Sequence, residues 1–370
     1  MLQPFNDRHE QSNQNQSHGP DSSSRASLSH TQVMNPALQS LLKQTSRSFY
    51  LTLRVLPAAV RPQIGLAYLL ARTTDTIADT ELVPAKQRLD ALQQLRLQIL
   101  GTSTATLDFG TLAREQALPA ERTLLENIEA ALGELNQLSS ADQKLIRKVL
   151  DTITSGQELD LQRFASGSER EIHALRTAEE LDDYTFRVAG CVGGFWTHIC
   201  RAHVFSQAKL DDTQLLVDGI RFGKGLQLVN ILRDLPADLR KGRCYLPLDE
   251  LTALGLSPAD LCNPANEPKL RPLYTAWLNH AEEHLAAGWH YTNSLPWSCV
   301  RIRLACAWPI LIGLATIARL RTADILDASQ RVKISRNEVK WFMLKSILAY
   351  PFPPLWQSLA KFSMRQPKSP

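Results

Sequence analysis

From Val33 to about residue 350 the apolar residues return every three or four positions, the period of a helix with one face turned inward. Ala85, Leu89, Leu92 and Leu95 keep this spacing, as do Leu124, Ile128, Leu132, Leu135 and Leu138, and then Leu145, Val149 and Ile153. No sustained alternation of apolar and polar residues, the mark of a half-buried strand, breaks the pattern. Prolines and glycines gather where helices should stop, at Leu56-Pro57, Leu246-Pro247, the 255–272 segment and Leu295-Pro296. No repeat of roughly 20 to 50 residues is visible, and no Gly/Ser linker divides the chain. The pattern predicts an all-α protein with a single domain over residues 33–350.

The two ends read differently. Residues 1–32 are rich in Ser, Gln and Asn and lack a signal-peptide apolar core, so a disordered polar tail is expected there. The Trp341–Phe362 stretch is apolar, but Lys345, Pro351, Pro353 and Pro354 interrupt it. That pattern speaks against a spanning helix and for a C-terminal tail, 351–370, in peripheral contact with a membrane. Leu304–Ala318 is uninterrupted and apolar between flanking arginines, yet shorter than the about 20 residues a bilayer requires. It is expected to be a core helix.

Composition narrows the classes. In 370 residues, 44% hydrophobic and 21% charged positions are those of a soluble globular protein. Lys and Arg exceed Asp and Glu by 41 to 37, a net charge of +4, too slight for nucleic acid to be the main partner. The six cysteines form no Cys-x-x-Cys pair and no zinc-like group with histidine. Reduced, mostly buried thiols and a cytoplasmic location are expected.

Two stripes of polar residues carry candidate chemistry. Tyr68, Arg72, Asp75 and Asp79 fall at offsets of 0, 4, 7 and 11, which is one face of a helix. On a surface helix these would be an ordinary solvated set, but the preceding PQIGLA and the apolar residues on the other faces place this helix inside. Interior carboxylates cost several kcal/mol unless paired or bound to metal. Gln227, Asn230, Asp234 and Asp238 repeat the arrangement at offsets of 0, 3, 7 and 11. Two such stripes can face each other across a helical bundle. Oxygen ligands without clustered His or Cys favour Mg²⁺, whose shell substrate phosphates usually complete. Arg72, Arg233, Arg240, Lys241 and Arg243 flank the acids and suit diphosphate oxygens. An acidic ledge ringed by arginines and opening on an apolar interior fits an isoprenoid diphosphate. Pro236, between the second pair of aspartates, is expected to kink or end its helix and to move Asp238 off the shared face. His280 and His284 lack the glutamate at position 281 that a zinc-protease helix needs, so an exposed charged face is expected there.

The stretches SRSF (46–49), DTIAD (75–79), YTFRVAG (184–190), QLVNILRDLPAD (227–238) and GRCYLP (242–247) occur in this order. With them the chain resembles the squalene/phytoene synthase family. The resemblance implies one isoprenoid synthase bundle of helices around a deep central cavity, and head-to-head joining of two farnesyl diphosphates through presqualene diphosphate. It implies Mg²⁺ on Asp75, Asp79, Asp234 and Asp238, and diphosphate met by Arg47, Arg72, Arg233 and Arg243. Ser48, Tyr68, Gln227 and Asn230 face substrate on this reading, and Tyr184 assists proton removal or steers a cation. Phe49, Phe186, Phe195 and Trp308 are candidate cavity walls. The segments 295–320 and 331–336 are similar to those of the squalene-forming branch, in which RVKISR is associated with the reducing nucleotide, so Lys333 and Arg336 are expected to address NADPH. Ala78 and Ala237 stand where many relatives carry an extra acid, and Ser335 where the family often has arginine. Dehydrosqualene, hydroxysqualene or phytoene formation, or a non-catalytic role on the same fold, are the alternatives.

Overall fold

The computed structural model describes residues 34–46, 49–116, 118–168, 170–329 and 331–363. The expectations for residues 1–32, for Arg47 and Ser48 and for the Phe49 side chain lie outside the described residues. The chain runs through α1 (Pro36–Thr45), α2 (Phe49–Val55), α3 (Arg61–Asp79), α4 (Ala85–Leu100) and the short α5 (Gly110–Arg114). Then come α6 (Pro119–Glu126), α7 (Ile128–Gln137), the long α8 (Ser140–Phe164), α9 (Ala178–Thr185) and a π-helical turn at Phe186–Gly190 that leads into α10 (Cys191–His203). After these follow α11 (Asp212–Arg240), α12 (Leu248–Ala253), α13 (Glu267–Ser294), α14 (Val300–Leu320), α15 (Arg336–Ala349) and α16 (Pro353–Ser363). The helical expectation holds, with a break at Asn127. There the side-chain amide donates to the Thr123 carbonyl at 2.8 Å and separates α6 from α7.

Side-chain caps set several starts. Ser139 accepts from the Asp142 amide ahead of α8, Asp211 from the Gln214 amide ahead of α11, and Ser335 and Glu338 form a reciprocal capping box at α15. Ser335 therefore has a structural task at the position where an arginine was looked for. One two-residue parallel ladder, β1 (His173–Ala174) on β2 (Arg243–Cys244), pairs His173 with Arg243. It depends on Gly242, which sits at φ +73° with Ser168 N only 2.1 Å from where a Cβ would stand.

The long helices pack around the cavity. α11 and α13 lie against each other along much of their length, and the π turn approaches α11 closely at Gly223, whose hypothetical Cβ would stand 2.2 Å from the Ala189 carbonyl oxygen. Pro236 neither ends nor interrupts α11, which runs on to Arg240. The proline removes the donor that would have met the Leu232 carbonyl, and the fully buried Tyr274 of α13 supplies one, its hydroxyl donating at 2.9 Å. α14 is apolar and long enough to cross a membrane, but 72% of its most apolar window is buried against neighbouring helices. Within the 351–370 stretch expected as a tail, residues 353–363 form α16, and Trp356 anchors it in the core beside Trp308 and Leu311. None of the six cysteines is in a disulfide, and three of them are buried.

Candidate functional site

Two adjoining cavities open along the inside of the bundle. The apolar one, about 500 Å³, is walled by α3, α8, α10, α11 and α14 and includes Tyr68, Arg72, Asp75, Gln227 and Asn230. A polar chamber of about 330 Å³ continues from it and shares Asp75, Ile153, Val188 and Gln227 with it. Asp79, Gln157, Asp160, Tyr184, Arg243 and Tyr245 complete that chamber. Gln227 and Asn230 of α11 thus line these spaces with Tyr68, Arg72, Asp75 and Asp79 of α3, while Asp234 and Asp238 line neither. A larger cavity of about 730 Å³ lies elsewhere, between α9, α11 and α13, and holds none of the four aspartates.

Asp75 and Asp79 sit in the last turns of α3. The Asp75 side chain is 46% exposed, but that exposure faces the cavities. Burial, then the charge of Asp79, raise its pKa to about 7 against the opposing pull of Arg72 and of Gln157, whose amide donates to it at 2.5 Å. Burial raises Asp79 as well, with Arg243, Arg72 and Lys241 opposing. Arg72 is 4.0 Å from Asp75 and bonds more closely to Glu121. Its expected role toward diphosphate therefore requires it to leave Glu121.

The second pair differs in its partners. Arg233 holds Asp234 with two bonds, at 3.0 and 2.6 Å, and Arg331 adds another contact at 2.7 Å. Burial alone would raise the Asp234 carboxyl, but these arginines outweigh it and hold the pKa below the ordinary value. Asp238 lacks such partners, and burial, then the charge of Asp234, raise it to about 7. Arg243 acts on Asp79, Asp160 and Asp238 alike, and Lys241 on Asp79 and Asp238, so both cations are common to the two pairs.

The structure adds residues that the sequence reading lacked. Gln157 and Asp160 of α8 line the chamber, and the Tyr245 hydroxyl donates to Asp160 at 3.0 Å. Tyr184 stacks on Tyr245 at a ring separation of 4.8 Å, and its hydroxyl donates to the Tyr245 oxygen at 3.4 Å. Burial keeps both tyrosines protonated by raising their pKa values well above normal, and raises Asp160 to about 6. Among the aromatic wall candidates, Phe195 lines the apolar cavity, joined by Tyr68, Trp196, Phe222 and Tyr291. Two candidates are corrected. Phe186 begins the π turn and faces the separate 730 Å³ cavity, and Trp308 packs against α15 with its indole N–H on Ser346 at 2.9 Å. The histidine face is corrected too. His284 is 7% exposed, its side chain lies against Gly225, and burial lowers its pKa to about 4.

The ligand chemistry fits a hard divalent cation. Among the described residues no group of three or more His, Cys, Asp or Glu side chains gathers. The carboxylates come in pairs, and an ion held by them would take the rest of its shell from water and substrate oxygens, as Mg²⁺ does. The raised pKa values of Asp75, Asp79 and Asp238 mark negative charge that the surrounding arginines leave uncompensated. Lys333 and Arg336 are exposed and line none of these cavities, while Arg331 of the same segment reaches Asp234.

Comparison with known proteins agrees with this architecture. A squalene synthase of Schizosaccharomyces pombe is 27% identical over 83% of the chain, which spans 64% of that relative's length. A 15-cis-phytoene synthase of Synechocystis is 26% identical over 77% of the chain and 74% of its own length. A solved complex of TcSQS with the ligand BPH1237 superposes with a TM-score of 0.71 at 19% identity, covering 91% of this chain and 94% of that one, and so shares the fold. The family model described as squalene/phytoene synthase matches residues 42–338, a span that contains both aspartate stripes, Tyr184 and Arg243. By that match the chain belongs to the squalene/phytoene synthase family.

Proposed function

We propose that the protein joins two farnesyl diphosphates head to head through presqualene diphosphate and, with NADPH, reduces the product to squalene. The observation that carries the reading is the continuity of an apolar cavity with a carboxylate chamber, shared at Asp75 and Gln227. A prenyl chain and its diphosphate need these two environments side by side.

Asp75, Asp79, Asp234 and Asp238 hold Mg²⁺ in this reading. The metal, when bound, withdraws charge from diphosphate and makes it a better leaving group. Diphosphate oxygens take the place of Asp234 on Arg233 and Arg331, which frees that carboxylate, and they replace Glu121 on Arg72 in the same way. Arg243 stays between the pairs and meets the second diphosphate. The apolar walls exclude water from the allylic cation, and the faces of Phe195, Trp196 and Phe222 favour positive charge near them. Tyr184, a neutral phenol bonded to Tyr245 and through it to Asp160, moves or holds the proton lost when the cyclopropane closes.

The squalene outcome is supported by the RVKISR segment at the ledge and by the longer match to the S. pombe squalene synthase, 83% of the chain against 77% for the phytoene synthase. A peripheral membrane contact, suited to an apolar product, is supported by Trp341, Leu344 and Leu348 on one exposed face of α15 and by Phe352 and Leu355 beyond it. The test is purified protein with farnesyl diphosphate and Mg²⁺, with and without NADPH, and identification of the extracted lipids by mass spectrometry. Squalene formed only with NADPH is the expected result. Dehydrosqualene or hydroxysqualene as sole product with NADPH present would overturn the reductive step, and unchanged substrate would overturn the condensation.

A further inference from the structure

Behind the carboxylate chamber lies a cavity of about 360 Å³ whose Glu81, Arg88 and Arg240 none of the assigned roles uses. Arg243, Asp160 and Leu161 form walls of both spaces, so apolar, carboxylate and cationic compartments follow one another. Four cations, Arg88, Arg240, Lys241 and Arg243, meet two carboxylates, Glu81 and Asp160. Lys241 bonds Glu81 at 2.9 Å, and Arg243 stands 3.6 Å from Glu81 and 3.7 Å from Asp160. Both acids are thereby matched, and Arg88 and Arg240 remain.

Arg240 is exposed at this cavity's rim and has no ion pair or hydrogen bond among the described residues. Arg88 is the opposite case, only 7% exposed. One end of its guanidinium donates to the Ala78 carbonyl at 2.5 Å, which fastens it to the last turn of α3 next to Asp79. Its Nε is buried with no partner. Burial, and then the charge of Arg243, pull its pKa below the ordinary value against the opposing charges of Glu81 and Asp79. A buried arginine with an unpartnered donor is costly unless an anion meets it.

We propose that this cavity is an oxyanion subsite for inorganic diphosphate, in which Arg88 and Arg240 hold the group displaced at the aspartate ledge after it leaves. The source of the diphosphate rests on the condensation reading, while the site itself rests on the cation arrangement alone. Planar guanidinium groups match phosphate oxygens in pairs, and a lining whose four cations exceed its two carboxylates by two suits a ligand with at least two negative charges. The 2′-phosphate of NADPH offers the same chemistry, so the experiment separates the two.

Calorimetric titration of the full chain with inorganic diphosphate, in chelator and without Mg²⁺, tests the subsite. The wild type should bind, and Arg88→Gln and Arg240→Gln should each weaken binding at least about tenfold. Asp75→Asn, which removes a nearby negative charge, should bind no more weakly than the wild type. Arg240→Gln lies at the surface and keeps the test intact if Arg88→Gln does not fold. Diphosphate binding that requires Mg²⁺ and is lost in Asp75→Asn but not in the arginine variants would overturn the subsite. Displacement of bound diphosphate by NADPH and not by NADH would give the cavity to the nucleotide and overturn the diphosphate assignment. A wild-type chain that binds diphosphate through Arg88 yet forms no condensation product would defeat the proposed function and leave the subsite standing.

Discussion

Replacing Tyr274 with Phe tests how the helix that carries Asp234 and Asp238 survives an interior proline. Pro236 has no N–H, so the Leu232 carbonyl, four residues earlier, has no helical donor. The Tyr274 hydroxyl meets it at 2.9 Å in a position with no solvent exposure. Phenylalanine occupies nearly the same space, so the change removes one hydrogen bond and leaves a buried carbonyl unpaired. Such a loss is worth about 1–3 kcal/mol. Urea unfolding of the wild type, Tyr274→Phe, Pro236→Ala and the double variant reads it. Pro236→Ala restores an N–H to the Leu232 carbonyl, so Tyr274→Phe should destabilise that background less, with a coupling energy of about 1 kcal/mol. An equal loss in both backgrounds would refute the account of how α11 stays continuous.

Two further outcomes follow from the charge and the surface. Asp75 and Asp238, at about 7 in the fold, titrate near 3.9 when unfolded. Between about pH 4 and pH 7 the folded chain therefore keeps protons that the unfolded chain has lost, and stability from these groups falls as pH rises through that window. In Mg²⁺-free buffer the melting temperature of Asp75→Asn should depend less on pH than that of the wild type, and added Mg²⁺ should stabilise the wild type more at pH 7.5 than at pH 5.5. Identical pH slopes in both proteins would contradict the uncompensated charge. On α15, Leu348 is 62% exposed, and Leu348→Glu should lower cosedimentation with phosphatidylglycerol vesicles at least about fivefold without changing the melting temperature. Equal sedimentation would rule that face out as the membrane contact.

The helical architecture and the α3 stripe were legible because both follow from spacing within one helix, whereas of the α11 stripe only Gln227 and Asn230 line the cavities. Tyr68, Arg72, Asp75 and Asp79 needed only the period of α3 to share a face, and they line the adjoining cavities as expected. What escaped depends on distant chain. Gln157 reaches Asp75 across 82 positions, Tyr245 reaches Asp160 across 85, and Arg331 reaches Asp234 across 97, and no local pattern marks such partners. Arg88 reads as one cation in an ordinary amphipathic helix until the fold brings it beneath Ala78. Phe186 was misplaced because a π turn shifts the helical register at that residue, and Trp308 because α15 covers it. Pro236 was read correctly as a missing donor, but its consequence was set by a tyrosine 38 positions away in sequence, Tyr274, on another helix.

The central claim is that two aspartate pairs acting together carry the first condensation. Its most direct measurement is single-turnover formation of presqualene diphosphate from farnesyl diphosphate and Mg²⁺ by the wild type, Asp75→Asn and Asp238→Asn, with folding checked by thermal melting. The account predicts a burst of presqualene diphosphate in the wild type and a loss of at least about 100-fold, roughly 3 kcal/mol, in each variant with the melting transition retained. Wild-type rates of presqualene diphosphate formation in either folded variant would contradict it.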